Sequence, residues 1–97
     1  MAVDFARRQA WVEGHEVPVT RRELAVLERL AEQPGQAVSR EDLLESIWGE
    51  ATAEAGASLE VMVARLRRKL DPEGALRLIR TVRGFGYALA SGDEAAR

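Results

Sequence analysis

Leu59, Val63, Leu66 and Leu70 fall at offsets of 0, +4, +7 and +11, the spacing that sets four apolar side chains along one stripe of an α-helix. Such a stripe must be covered, so the chain needs further apolar faces to pack against it. Two earlier segments supply them. Thr20-Arg21-Arg22-Glu23 matches a capping box, in which the threonine hydroxyl and the glutamate three residues on satisfy orphan amide donors at a helix start. Leu24, Leu27, Leu30 and Ala31 then share one face, and Pro34-Gly35 stops the helix. After a very short extended piece at Ala37-Val38, Ser39 and Asp42 repeat the N-cap pattern for a second helix over Arg40–Trp48. Its inward face is Leu43, Leu44 and Ile47, and Gly49 ends it. Residues 50–56 have no apolar period and read as a connecting loop or a frayed helix start. The third helix, about residues 57–70, ends at Asp71-Pro72 with Gly74.

The flanks read as strands. Asp4–Arg8, Gln9–Val12 and Glu16–Val19 form an N-terminal meander with turn chemistry at Glu13-Gly14-His15. Leu78–Val82 and Tyr87–Leu89 bracket Arg83-Gly84-Phe85-Gly86, whose glycines permit a tight reversal. The expected architecture is α+β: an N-terminal antiparallel sheet, a three-helix core and a C-terminal hairpin. That order is the winged-helix plan, a helix-turn-helix relative whose third helix enters a major groove while the hairpin touches the flank. Residues 1–89 make the expected domain, and residues 90–97, small and polar, the expected flexible tail.

Ninety-seven residues make one domain's worth of chain. The absence of cysteine excludes a disulfide framework, a thiolate-held zinc and a thiol nucleophile, and the single histidine excludes a multi-histidine metal site. No cofactor, metal or catalytic set is expected. No apolar run approaches the ~18–20 residues that cross a bilayer, and the first eight residues lack a signal peptide's apolar centre, so the expected location is cytoplasmic.

The net charge of −2 argues against a general nucleic-acid binder, but a total says nothing about placement. Residues 1–56 hold six basic and eleven acidic side chains, whereas residues 57–87 hold seven basic and three acidic. A basic segment rides on an acidic body. On the third helix, Ala57, Val61, Ala64, Arg65 and Arg68 lie opposite the leucine stripe. A low profile, arginines and one methyl-bearing side chain suit a helix pressed into a major groove, where guanine edges take arginine and thymine offers a methyl. The alternative is a solvated amphipathic helix whose Arg67, Arg68 and Lys69 only favour the dipole at its C-terminal end. The hairpin favours the first reading. Its Arg77, Arg80 and Arg83 are interleaved with Leu78, Ile79 and Val82, and Arg83 stands at the turn, within reach of a minor groove.

These residues carry a resemblance. Val19-Thr20-Arg21-Arg22-Glu23-Leu24, Val38-Ser39-Arg40-Glu41-Asp42-Leu43-Leu44, Ile47-Trp48-Gly49, Arg65-Leu66-Arg67-Arg68-Lys69-Leu70 and Ile79-Arg80-Thr81-Val82-Arg83-Gly84-Phe85-Gly86-Tyr87 together resemble the C-terminal DNA-binding domain of OmpR/PhoB-type response regulators, over about residues 5–89. The resemblance implies two copies on tandem DNA repeats and a loop before the recognition helix, here about Gly49–Gly56, that touches RNA polymerase. Within it Glu50, Ala51, Thr52, Ala53, Glu54 and Ala55 are the candidate contacts. It also implies base contacts from Val61, Arg65 and Arg83 and phosphate contacts from Arg67, Arg68 and Thr81. Members carry an N-terminal receiver domain, phosphorylated through a sensor histidine kinase, which 97 residues cannot also contain; the chain is then an effector half or a stand-alone regulator. It departs from the family pattern at Ala57, Met62 and Ala64, where Arg or Lys, His or Tyr, and a further base are common. Fewer side chains remain to grip DNA, so one domain should bind weakly and pairing on DNA should matter.

Other signals have plainer explanations. Gly84-x-Gly86 has Leu89 where a dinucleotide loop needs its third glycine, and no helix follows it. His15 on a turn has no nucleophile to serve, Trp11 and Trp48 lie amid apolar neighbours, and Glu41 with Asp42 suits a helix dipole. The competing function is a winged helix used for protein contact through its acidic face and the Gly49–Gly56 loop. An enzyme ranks behind both.

Overall fold

The computed structural model describes residues 2–74 and 77–90. Its elements run β1 (Ala2–Asp4), β2 (Gln9–Val12), β3 (His15–Val17), α1 (Arg21–Ala31), β4 (Ala37–Ser39), α2 (Arg40–Trp48), α3 (Ala53–Leu70), β5 (Ile79–Val82) and β6 (Gly86–Leu89). Two antiparallel sheets flank the helices, one ordered β1-β2-β3 and the other β4-β6-β5. The expected α+β winged helix is what the chain forms.

Capping fixes the helix starts. The Thr20 hydroxyl accepts from the Glu23 amide at 3.1 Å while Glu23 Oε1 accepts from the Thr20 amide at 2.7 Å, which completes the capping box. Ser39 Oγ accepts from the Asp42 amide at 3.0 Å, and Gly49 closes α2 in the left-handed conformation at φ 84°, open to glycine at no steric cost. The three helices bury Leu27 and Leu30 from α1, Leu43 from α2, and Leu59, Leu66 and Leu70 from α3 in one core. Val26 and Glu23 join the buried side of α1, while Ala31 and Ile47, both expected inside, are half-buried.

Several boundaries differ from the sequence reading. The first strand covers Ala2–Asp4 rather than Asp4–Arg8: the Asp4 carboxylate accepts from the Arg7 amide at 3.1 Å, turning the chain where the strand was expected to run. His15 belongs to β3, opposite Val12, and the turn is Glu13-Gly14 alone, with φ of 51° and 81° as a two-residue hairpin with right-handed strand twist requires. Strand β3 stops before Pro18, which has no amide hydrogen for the ladder. The third helix starts four residues earlier than expected. Thr52 caps it, accepting from the Ala55 amide at 3.1 Å, and the alanines that follow are strong helix formers. The expected loop over Gly49–Gly56 therefore shrinks to a link at residues 49–52. Strand β5 begins at Ile79, because the Leu78 amide is already taken by Asp71 Oδ2 at 3.2 Å. Ala90 still donates to the Leu78 carbonyl at 2.8 Å, so the hairpin holds the chain through residue 90; the rest of the expected tail, 91–97, lies outside the described residues.

Candidate nucleic-acid interface

Helix α3 presents two faces. Leu59, Val63, Leu66 and Leu70 are buried, and Ala57, Val61, Ala64, Arg65 and Arg68 are exposed along the opposite side. Val61 keeps 49% of its surface in water, one of two large apolar side chains this exposed among the described residues. Ala57, Ser58, Val61, Met62 and Arg65 together line a shallow hollow, as the small residues there stand low. The face is apolar at its centre and cationic toward the C-terminal end.

The hairpin of β5 and β6 is fastened to α3 through Arg67. This side chain is half-buried, and its Nε donates to the Ile79 carbonyl at 3.0 Å while Nη2 donates to the Thr81 hydroxyl at 2.7 Å. Arg67 and Thr81, expected as two separate phosphate contacts, are thus partners. Each keeps hydrogens to offer, since a guanidinium has five N–H donors and the Thr81 hydroxyl, accepting here, still has its own to donate.

A second fastening is absent from the sequence reading. Arg40 Nη1 donates to Glu60 Oε1 at 2.9 Å, tying the start of α2 to α3, and the Arg40 amide donates to the Phe85 carbonyl at 2.9 Å, tying both to the turn of the hairpin. Gly56 makes room for this, because a Cβ there would run into the Arg40 guanidinium. Twenty residues separate Arg40 from Glu60, and no local periodicity announces such a pair; a glycine inside a helix is its single trace in the sequence. As a result α2, α3 and the hairpin wall a cleft of about 570 Å3 that includes Ser39, Arg40, Glu60, Thr81, Val82 and Phe85.

The remaining cations are not consumed by the acidic body. Ion pairs join Arg7 to Asp4, Arg29 to Glu32 and Asp42, Arg40 to Glu60, and Lys69 to Glu23. Arg65, Arg68, Arg80 and Arg83 have no carboxylate within ion-pair distance among the described residues, and all four are exposed. Arg22 lies over the Trp48 ring at 5.2 Å, which makes that half-buried tryptophan a brace between α1 and α2. Of the residues considered for polymerase contact, Glu50, Ala51 and Thr52 lie in the link, whereas Ala53, Glu54 and Ala55 form the first turn of α3. Ala55 is buried there, a correction to its expected place on a contact loop.

Away from this face, Lys69 Nζ reaches Glu23 Oε1 at 2.7 Å, the same oxygen that closes the capping box. Burial pushes the Glu23 carboxyl up, but the hydrogen bonds from Lys69 and the Thr20 amide outweigh it and hold the group below its ordinary value of 4.5. No group of three or more acidic, histidine or cysteine side chains is arranged to hold a metal ion, and no helix is long and apolar enough to cross a membrane, among the described residues.

A three-helix core, a recognition-type helix with a low cationic face and a hairpin fastened beside it define a winged-helix domain. The comparison with known proteins places it further. Residues 14–89 match the family described as the C-terminal domain of transcriptional regulatory proteins, and the chain belongs to that family, the DNA-binding domains of OmpR/PhoB-type response regulators. It is 43% identical over 86 residues to the response regulator MprA of Mycobacterium leprae, covering 89% of this chain and 36% of that protein. Among solved structures it is similar to the DNA-binding domain of CpxR from E. coli, with a TM-score of 0.78 and 30% identity over 92% of this chain and 88% of that one. It is also similar to the Klebsiella pneumoniae RstA DNA-binding domain in complex with the RstA box, with a TM-score of 0.77 and 32% identity, covering 91% and 88%. The chain spans little more than a third of the length of the curated relatives it matches.

Proposed function

We propose that this domain binds double-stranded DNA sequence-specifically and is the effector part of a response regulator controlling transcription. The observation that carries this reading is the set Arg65, Arg68 and Arg83, exposed on the recognition helix and wing with no carboxylate neutralising them among the described residues. The RstA domain, solved on its box, supports it. Helix α3 lies in the major groove, where Arg65 meets a guanine edge and Val61 a thymine methyl. Arg68 meets phosphate. Arg83 reaches the adjacent minor groove, and the Thr81 hydroxyl, oriented by Arg67, donates to a phosphate. Arg67 thereby acts first as a positioning residue. With bases missing at Ala57 and Ala64, about four or five phosphate contacts per domain leave a single copy weakly bound, so two copies sit on tandem repeats.

The family supports a wider context. As the effector half of a longer regulator the domain is joined to a receiver, phosphorylated through a sensor histidine kinase, and as a stand-alone regulator it is not; in either case it works in the cytoplasm. RNA polymerase meets the link at residues 49–52 together with Glu54 on the first turn of α3. Selection of preferred duplexes from a random pool tests the reading. Two copies of a half-site at fixed spacing are expected, and an unenriched pool would rule sequence-specific binding out.

A further inference from the structure

The cleft between α3 and the wing has a consequence for how a duplex is held. If α3 occupies the major groove and Arg83 the neighbouring minor groove, the sugar–phosphate strand dividing those grooves must cross between them, through this cleft. Beyond Thr81, already assigned to a phosphate, the walls offer no free cation. Arg40 is already bonded to Glu60 at 2.9 Å, so that pair brings no net charge, and Glu41 adds an exposed carboxylate at the rim. Phe85, half in water, and Val82 line the same cleft. The Phe85 backbone is fixed on both sides, the amide donating to the Val82 carbonyl at 3.0 Å and the carbonyl accepting from the Arg40 amide at 2.9 Å. An aromatic ring half in water, on a turn held by two backbone hydrogen bonds, offers apolar area to a partner.

We propose that Phe85 packs against a deoxyribose ring of the crossing strand, a contact made by area rather than charge and one that a 2′-hydroxyl disturbs. The proposal rests on the DNA-binding reading above and adds to it a residue outside the cationic set. It separates two contributions to affinity: counterion release, from Arg65, Arg68 and Arg83, and apolar burial on the sugar, from Phe85.

The test is fluorescence anisotropy over a range of salt concentrations with a selected duplex, comparing the wild-type domain with Phe85→Ala and Phe85→Leu, each first checked for an unchanged thermal unfolding transition. Phe85→Ala is expected to bind about tenfold more weakly with its salt slope intact, and Phe85→Leu to recover most of the loss. Single ribose replacements along the crossing strand should weaken the wild type at one position and leave Phe85→Ala indifferent there. Unchanged affinity of Phe85→Ala, a salt slope lowered by about one unit, or equal sensitivity of both proteins to ribose overturns the proposal while leaving duplex binding standing. A wild-type domain that binds no duplex overturns the functional reading, and this proposal with it.

Discussion

Arg65 and Arg68 stand three positions apart on one exposed face of α3, yet they make different predictions. Arg65→Ala is expected to cost about 1–3 kcal/mol on the preferred duplex and to relax discrimination at one base pair, because a bidentate guanine contact carries sequence information. Isotherms on the preferred duplex and on single-base variants check this; equal losses on all of them would contradict the assignment. Arg68→Ala should weaken every duplex alike and lower the salt slope by about one unit. Glu23 supplies a test of stability rather than binding. Its carboxyl is held below its ordinary value in the folded chain, so its contribution is complete above about pH 4.5 and is lost as pH falls through the lower native value. Urea midpoints of wild type and Glu23→Gln should therefore differ at neutral pH and converge on acidification.

At the scale of elements, the wing depends on a close approach as much as on its turn. Gly86 pairs with Ser39 across β4 and β6, and a Cβ there would run into the Val38 carbonyl and the Arg40 amide. Gly86→Ala should force the strands apart at a cost of about 1–3 kcal/mol, seen as a lower unfolding temperature, with weaker DNA binding to match. Helix starts at Thr20 and Ser39 were legible because a cap acts within three residues, and the leucine stripe of α3 because its period is local. The start of α3 at Ala53 stays undecided in the sequence, between a loop and a frayed helix start, because alanines carry helix propensity without an apolar period and Thr52 is not followed by one. Arg67–Thr81 and Arg40–Glu60 join residues 14 and 20 positions apart, distances at which side-chain pairing is settled by the fold and leaves no pattern in the chain. So the sequence named the wing and the cationic face, but not the bonds that hold them in relation.

For the whole molecule, binding turns on charge placement: a chain with a net charge of −2 offers a duplex the cations that no carboxylate reaches among the described residues. The acidic remainder repels DNA, so attraction rests on those cations and falls steeply with salt. The most direct measurement is the dependence of log affinity on log salt for the selected duplex. A slope of about −4 is expected for each bound domain, with Arg65, Arg67, Arg68, Arg80 and Arg83 together neutralising four or five phosphates at about −0.9 each. A slope near zero, or binding no stronger than to an acidic protein surface, would mean that the exposed arginines meet no phosphates and that the acidic face, rather than α3, is the working surface.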